Sequence, residues 1–151
     1  MRPFARLWIS PAGAVIALIC FFLPWYDYSC GEKIVTERGY DMAWPFWAIP
    51  VAAAGMLLAF GLAWRRGKPW RARPYIMGLS LVLPALLGLL AFMALSEGVR
   101  FGFRPVAPGE EKYHAVRFGL VGEVLGLLLA QVGAIWLRPR LDGQAGDRQR
   151  I

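Results

Sequence analysis

Charge is scarce in this chain: 18% of its 151 residues are charged and 58% are hydrophobic, where a soluble domain carries about a quarter charged. Too few polar groups remain to coat a core against water, and the mean hydropathy of +0.46 points the same way. An ordinary water-soluble globule is thereby excluded. Histidine occurs once, at His114, so the chain cannot hold a bis-histidine haem by itself and lacks the ligands of a structural zinc site. Cysteine occurs only at Cys20 and Cys30, with no Cys-x-x-Cys, which disfavours a membrane thiol oxidase. Cys20 falls inside an apolar run and Cys30 beyond it, too far apart to approach within the roughly 7 Å that a disulfide needs. Cys30 is left as a packed free thiol or as one half of an intermolecular bond. A Gly-rich phosphate loop, a nucleophile elbow and a metalloprotease helix are missing. The acids Asp27, Glu32, Glu37 and Asp41 form no dedicated calcium loop. No catalytic residue, no cofactor and no metal is expected, and the chain does not read as an enzyme.

What is abundant is long apolar sequence. Crossing about 30 Å of hydrocarbon takes about 20 apolar residues at 1.5 Å each. Four runs satisfy that test, at 7–26, 44–64, 75–95 and 118–137, and only Glu123 among them is charged. Open sheet edges do not survive in lipid, so the expected class is an all-α four-helix membrane bundle over 1–137. Residues 138–151, rich in Arg, Gly, Asp and Gln, are expected to be a mobile tail. A cleaved signal peptide is the alternative for the first run. It lacks small residues before a cleavage point, ending in Phe22-Leu23-Pro24-Trp25-Tyr26, and bulky Ile19 precedes Cys20 where a lipoprotein would need a small residue.

Orientation follows from the basic residues, which stay on the cytoplasmic side. The connector 65–74 carries Arg65, Arg66, Lys68, Arg71 and Arg73 with no acid. It is expected inside, and alternation puts both termini there too. Arg2, Arg6, Arg138, Arg140, Arg148 and Arg150 agree. The net charge of +7 then faces anionic lipid rather than nucleic acid, for which no basic reader surface is present. Two aromatic belts are expected. Trp25, Tyr26, Tyr40, Trp44 and Trp47 mark one interface, and Phe4, Trp8, Trp64, Trp70, Tyr75 and Trp136 the other.

The external connectors, 27–43 and 96–117, are long for helix hairpins. Val99 to Arg104 alternates, Pro105 to Glu111 supplies turn residues, and Lys112 to Arg117 returns, which predicts an antiparallel hairpin. Tyr26 to Cys30 and Ile34 to Arg38 predict another around Gly31-Glu32-Lys33. Paired, the two would make a small sheet capping the bundle; the other reading is irregular loops lying on headgroups. Phe101, Phe103, Tyr113 and His114 are the expected external partner surface, with His114 either a solvated strand residue or a cap on a cofactor of another subunit. In general plan the chain is similar to tetraspan proteins such as claudins, although the claudin Gly-Leu-Trp and paired cysteines are absent. Phe22-Leu23-Pro24-Trp25, Ser29-Cys30-Gly31 and Gly39-Tyr40-Asp41-Met42-Ala43 resemble a run in uncharacterised small bacterial membrane proteins. That resemblance implies a bacterial inner membrane and no activity.

Small residues let helices approach closely in lipid. Gly122, Gly126, Ala130 and Ala134 repeat every fourth residue in the last run, and Gly55, Ala59 and Ala63 do so in the second. They read as helix-packing seams within the bundle or toward a partner. Pro50 and Pro84 are expected to kink their helices. Glu123, with Gln131 about two turns deeper, forms the intramembrane polar pair. It serves a proton or cation relay, or it is a buried acid bonded to a neighbouring helix or reaching outward. The sequence thus leads to a non-catalytic accessory or scaffolding subunit that binds other membrane proteins or a second copy of itself. A small transporter or oligomeric channel using Glu123 is the alternative, and a subunit of an enzyme completed by a partner is a third.

Overall fold

Proline placement decides where the apolar runs stop being helix. In the computed structural model, which describes residues 3–96, 98–110 and 112–137, with side chains from Trp8 onward except at position 70, the chain is 65% helical and carries a small sheet. Among the described residues, three segments are long and apolar enough to cross a membrane: Trp44–Arg65, Arg73–Ser96 and Phe118–Trp136. The first helix, α1 (Pro3–Cys20), has a shorter described apolar part, Trp8–Cys20. The expected span 7–26 therefore ends early, and an all-α class is corrected to helices plus a sheet. Pro24 is the cause. It disfavours helical backbone at the residue before it, and the aromatic residues that follow fit a pleated strand better than a helix. The helix closes with tight bonds from the Phe22 and Leu23 amides to the carbonyls of Ile19 and Cys20, both 3.1 Å.

A 3₁₀ turn at Trp44–Trp47 leads into α2 (Ala48–Arg65). Pro50 stands in the first turn of α2, where an N–H has no intrahelical partner to lose, so it does not kink the helix in the way expected. Pro84 does act. The third apolar run divides into α3 (Arg73–Leu79) and α4 (Val82–Ser96). The missing Pro84 N–H would have gone to the Ser80 carbonyl, which instead accepts from Leu83 N–H at 3.0 Å. The Ser80 hydroxyl stays paired by donating back to the Met77 carbonyl at 2.8 Å. The last helix, α5 (Phe118–Trp136), is unbroken.

Four strands cap one end: β1 (Pro24–Cys30), β2 (Lys33–Arg38), β3 (Arg100–Gly102) and β4 (Tyr113–Val116), in the order β2-β1-β4-β3. β1 and β2 form the antiparallel hairpin read from the sequence, with Cys30 opposite Lys33 and Gly31 turning at φ 65°. β4 runs antiparallel to β1, with Tyr28 opposite His114. β3 and β4 are parallel, with Phe101 opposite His114, which corrects the expected second hairpin. The segment between them does not turn tightly. It crosses back until the Gly109 N–H donates to the Gly31 carbonyl at 3.0 Å and the Ser29 hydroxyl at 3.1 Å, so β4 starts from the same end as β3.

Beneath the sheet, Phe21, Trp25 and Phe46 pack edge to face, and the Trp25 indole donates to the Cys20 carbonyl at 3.1 Å. Trp25 and Tyr26, expected in an interfacial belt, are thus core residues at 0% and 3% exposure. Trp44 and Trp47 are exposed. At the opposite end Trp8 meets Phe60 and Trp64 at ring distances of 6.1 and 5.5 Å. The side chains of Phe4, Arg6 and Trp70, and the tail 138–151, lie outside the described residues, as does Arg2.

Candidate functional site

α1 and α5 make the tightest seam. A Cβ added at Gly126 would stand 2.6 Å from the Ala17 amide nitrogen and 2.8 Å from the Gly13 carbonyl oxygen. Those contacts show the two backbones touching directly. Ala130 and Ala134 are fully buried, and Gly122 faces the Cys20 side chain. In the second seam Gly55 faces Leu79 of α3, with Ala63 buried and Ala59 half-buried. Gly119 and Gly133, buried against Leu23–Pro24 and Ser10, extend the first seam at both ends. They fall off the strict four-residue repeat, which therefore does not reveal them.

The cap is fastened to this pair by one buried carboxylate. Asp27, on β1, accepts from the Thr36 hydroxyl of β2 at 2.8 Å and from Arg117 Nε at 2.6 Å, and Arg117 Nη2 closes on the same oxygen. The Asp27 side chain is 5% exposed and that of Arg117 50%. The Asp27 hydrogen bonds and charge hold the Arg117 guanidinium above its usual range. Arg117 is also the extended residue that joins β4 to α5, its amide donating to the Trp25 carbonyl at 2.8 Å. Spacing could not reveal this connection, since Asp27 and Arg117 belong to different connectors between helices.

Of the four residues expected on a partner surface, Phe103 is 82% exposed and His114 is 9% exposed. His114 stacks on Tyr26 at 4.9 Å and meets Phe101 edge-on at 5.5 Å, so it is a sheet-core residue and the solvated reading is corrected. Its neighbour Tyr28 has its hydroxyl pushed above the ordinary range, by burial first and then by nearby Glu37. Tyr113 lies under Arg104, whose guanidinium sits 4.1 Å from the ring centroid. Arg104 in turn grips Glu110 through two bonds of 2.9 and 2.7 Å. That grip and the Ala107 amide hold the Glu110 carboxyl below its ordinary range, while Glu110 raises Arg104. Arg100 and Lys112 line the same open cleft of about 920 Å³.

Inside the bundle Glu123 is 0% exposed, and neither carboxylate oxygen has a hydrogen-bond partner among the described residues. Gln131 is half-buried. Cys20 and Cys30 are both free thiols. No cluster of three or more metal-ligating side chains occurs among the described residues. Two apolar grooves face outward from the helices. One, of about 560 Å³, runs between α1 and α2 from Trp8 to Trp64. The other, of about 310 Å³, lies between α2 and α3 and ends at Arg66 and Arg71.

The chain matches no family model, no curated protein and no solved structure.

Proposed function

We propose that the protein is a non-catalytic, multi-pass membrane protein that acts as an accessory or scaffolding subunit, docking another membrane protein through its sheet cap. In this reading α1 is a fourth span. What supports that is its course along α5, with Ser10 against Gly133 at one end and Cys20 against Gly122 at the other. The basic connector between α2 and α3 faces the cytoplasm with both termini, in a bacterial inner membrane, and the sheet faces outward. The observation that carries the docking reading is the open edge of β2. Among the described residues this strand pairs only with β1, and Ile34 on it is 52% exposed. An uncovered edge next to apolar surface takes up a strand from a partner. The test is purification in mild detergent followed by native mass spectrometry, with and without a charged residue at Ile34. A stoichiometric complex that Ile34→Lys disrupts is expected. Recovery of nothing but a monomer sinks the scaffold reading.

The full burial of Glu123 without a described partner favours a second reading, a small transporter or oligomeric channel. Purified protein reconstituted alone would then pass ions, and Glu123→Gln would abolish the flux. Silent vesicles eliminate this reading.

A further inference from the structure

Groove shape and charge meet at one place on the bundle, between α2 and α3. Its walls are apolar: Leu58, Ala59 and Leu62 from α2 and Leu79 from α3, with Gly55 leaving room at the far end. Its near end is closed by Arg66, Arg71 and Tyr75. Neither arginine has an ion pair among the described residues, and the connector that carries them holds no acid. At 1.5 Å per residue, the distance along α2 from Gly55 to Arg66 is about 16 Å. One leaflet of hydrocarbon is about 15 Å deep. A hydrocarbon tail lying in the groove with its polar end at the arginines would therefore end close to the bilayer midplane.

We propose that this groove is a binding site for a single anionic diacyl phospholipid of the leaflet on the connector's side. The acyl chain lies along Leu58, Leu62 and Leu79, and the phosphate sits between Arg66 and Arg71 with the Tyr75 hydroxyl in reach of the headgroup. Two guanidiniums offer paired donors to phosphate oxygens, which a zwitterionic headgroup partly neutralises with its own ammonium. The α1–α2 groove is the internal contrast. Its lining from Trp8 to Trp64 is wholly apolar, which suits any lipid tail and selects no headgroup. The site rests on the membrane placement of α2 and α3 and is independent of partner docking.

Delipidated protein in detergent is titrated with dioleoylphosphatidylglycerol and with dioleoylphosphatidylcholine, and one-lipid adducts are counted by native mass spectrometry. Each arginine near the surface is worth about fivefold, so a preference of about twenty-five-fold for the anionic lipid is expected. The R66Q/R71Q variant should lose most of that preference. The R65Q/K68Q variant removes the same charge from the same connector outside the groove and should keep it. Ala59→Phe, which blocks the groove, should bring the anionic-lipid adduct down to the level that the unselective α1–α2 groove gives either lipid. Inorganic phosphate should add no thermal stability, because it lacks the acyl chain that fills the apolar part of the groove. Equal binding of the two lipids, equal losses in both double variants, or stabilisation by phosphate alone overturns the proposal. A chain that stays dispersed without detergent refutes the membrane placement instead, and so the two failures are told apart.

Discussion

Replacing Gly126 by alanine adds one methyl group at the point where α1 and α5 run backbone to backbone. The new carbon would lie 2.6 Å from the Ala17 amide nitrogen and 2.8 Å from the Gly13 carbonyl oxygen. Both neighbours are main-chain atoms of a helix, which cannot swing aside as a side chain can. Restoring ordinary contact separates the helices by several tenths of an ångström, and a radial gap of about 0.5–1 Å forfeits a quarter to a half of the dispersion well for every pair along the seam. Ala14, Ala17 and Ala130, all at 0% exposure, lose contact together. The expected cost is about 1–3 kcal/mol. Gly61 is the control: a Cβ there meets nothing within 4 Å, so Gly61→Ala should be neutral or stabilise by about 0.5–1 kcal/mol through helix propensity. Gly122→Ala should fall between, because it presses on the Cys20 side chain rather than on backbone. Reversible unfolding in mixed micelles, followed by tryptophan fluorescence, measures all three. If Gly126→Ala proves as stable as Gly61→Ala, the close seam is not what holds this pair.

Asp27→Ala strips both Thr36 and Arg117 of their acceptor. Since Arg117 is half exposed and can turn to water, a loss of about 1–3 kcal/mol is expected by the same unfolding assay. Thr36→Val should cost about 1 kcal/mol, and the two losses should not add; additivity would mean that they do not share one network. Glu123→Met removes a buried acid with no described partner, and stability should rise by about 1–3 kcal/mol. A drop of similar size would instead reveal a partner for the carboxyl. Glu110 has its carboxyl pulled below the ordinary 4.5 by Arg104. Its contribution is therefore complete above that value and fades as the pH falls through the lowered one. Protection factors of the 103–110 amides, which remove the intrinsic pH dependence of exchange, should stay constant from neutral pH to 5 and fall only in stronger acid; a fall near pH 6 contradicts the Glu110 assignment.

The three long apolar helices were legible because hydropathy over many residues is hard to mistake, and the β1–β2 hairpin because Gly31 stands between alternating runs. The end of α1 was hidden, since Trp25 and Tyr26 are as compatible with a lipid span as with a buried strand. Pro24 was the available clue. Pro84 is legible as a kink, but its effect falls upstream, at Ser80, where its absent donor is missed. The parallel pairing of β3 and β4 depends on Gly109 reaching the β1–β2 turn, a contact between loops that no local pattern contains. His114 followed the same rule: a polar residue in a loop reads as solvated until the aromatic neighbours from another loop are known. The Asp27–Arg117 fastening was illegible for that reason too.

Arg117 has one further consequence, because it is the whole of the connection between β4 and α5. No slack chain separates sheet from helix there, and only the short turn at Phe21–Leu23 separates them at the α1 side. A tug on the outer edge of β2 passes through Asp27 into the head of α5 and along its glycine-lined contact with α1. Cap and helix pair are thus joined at both strands without a linker that could serve as a hinge.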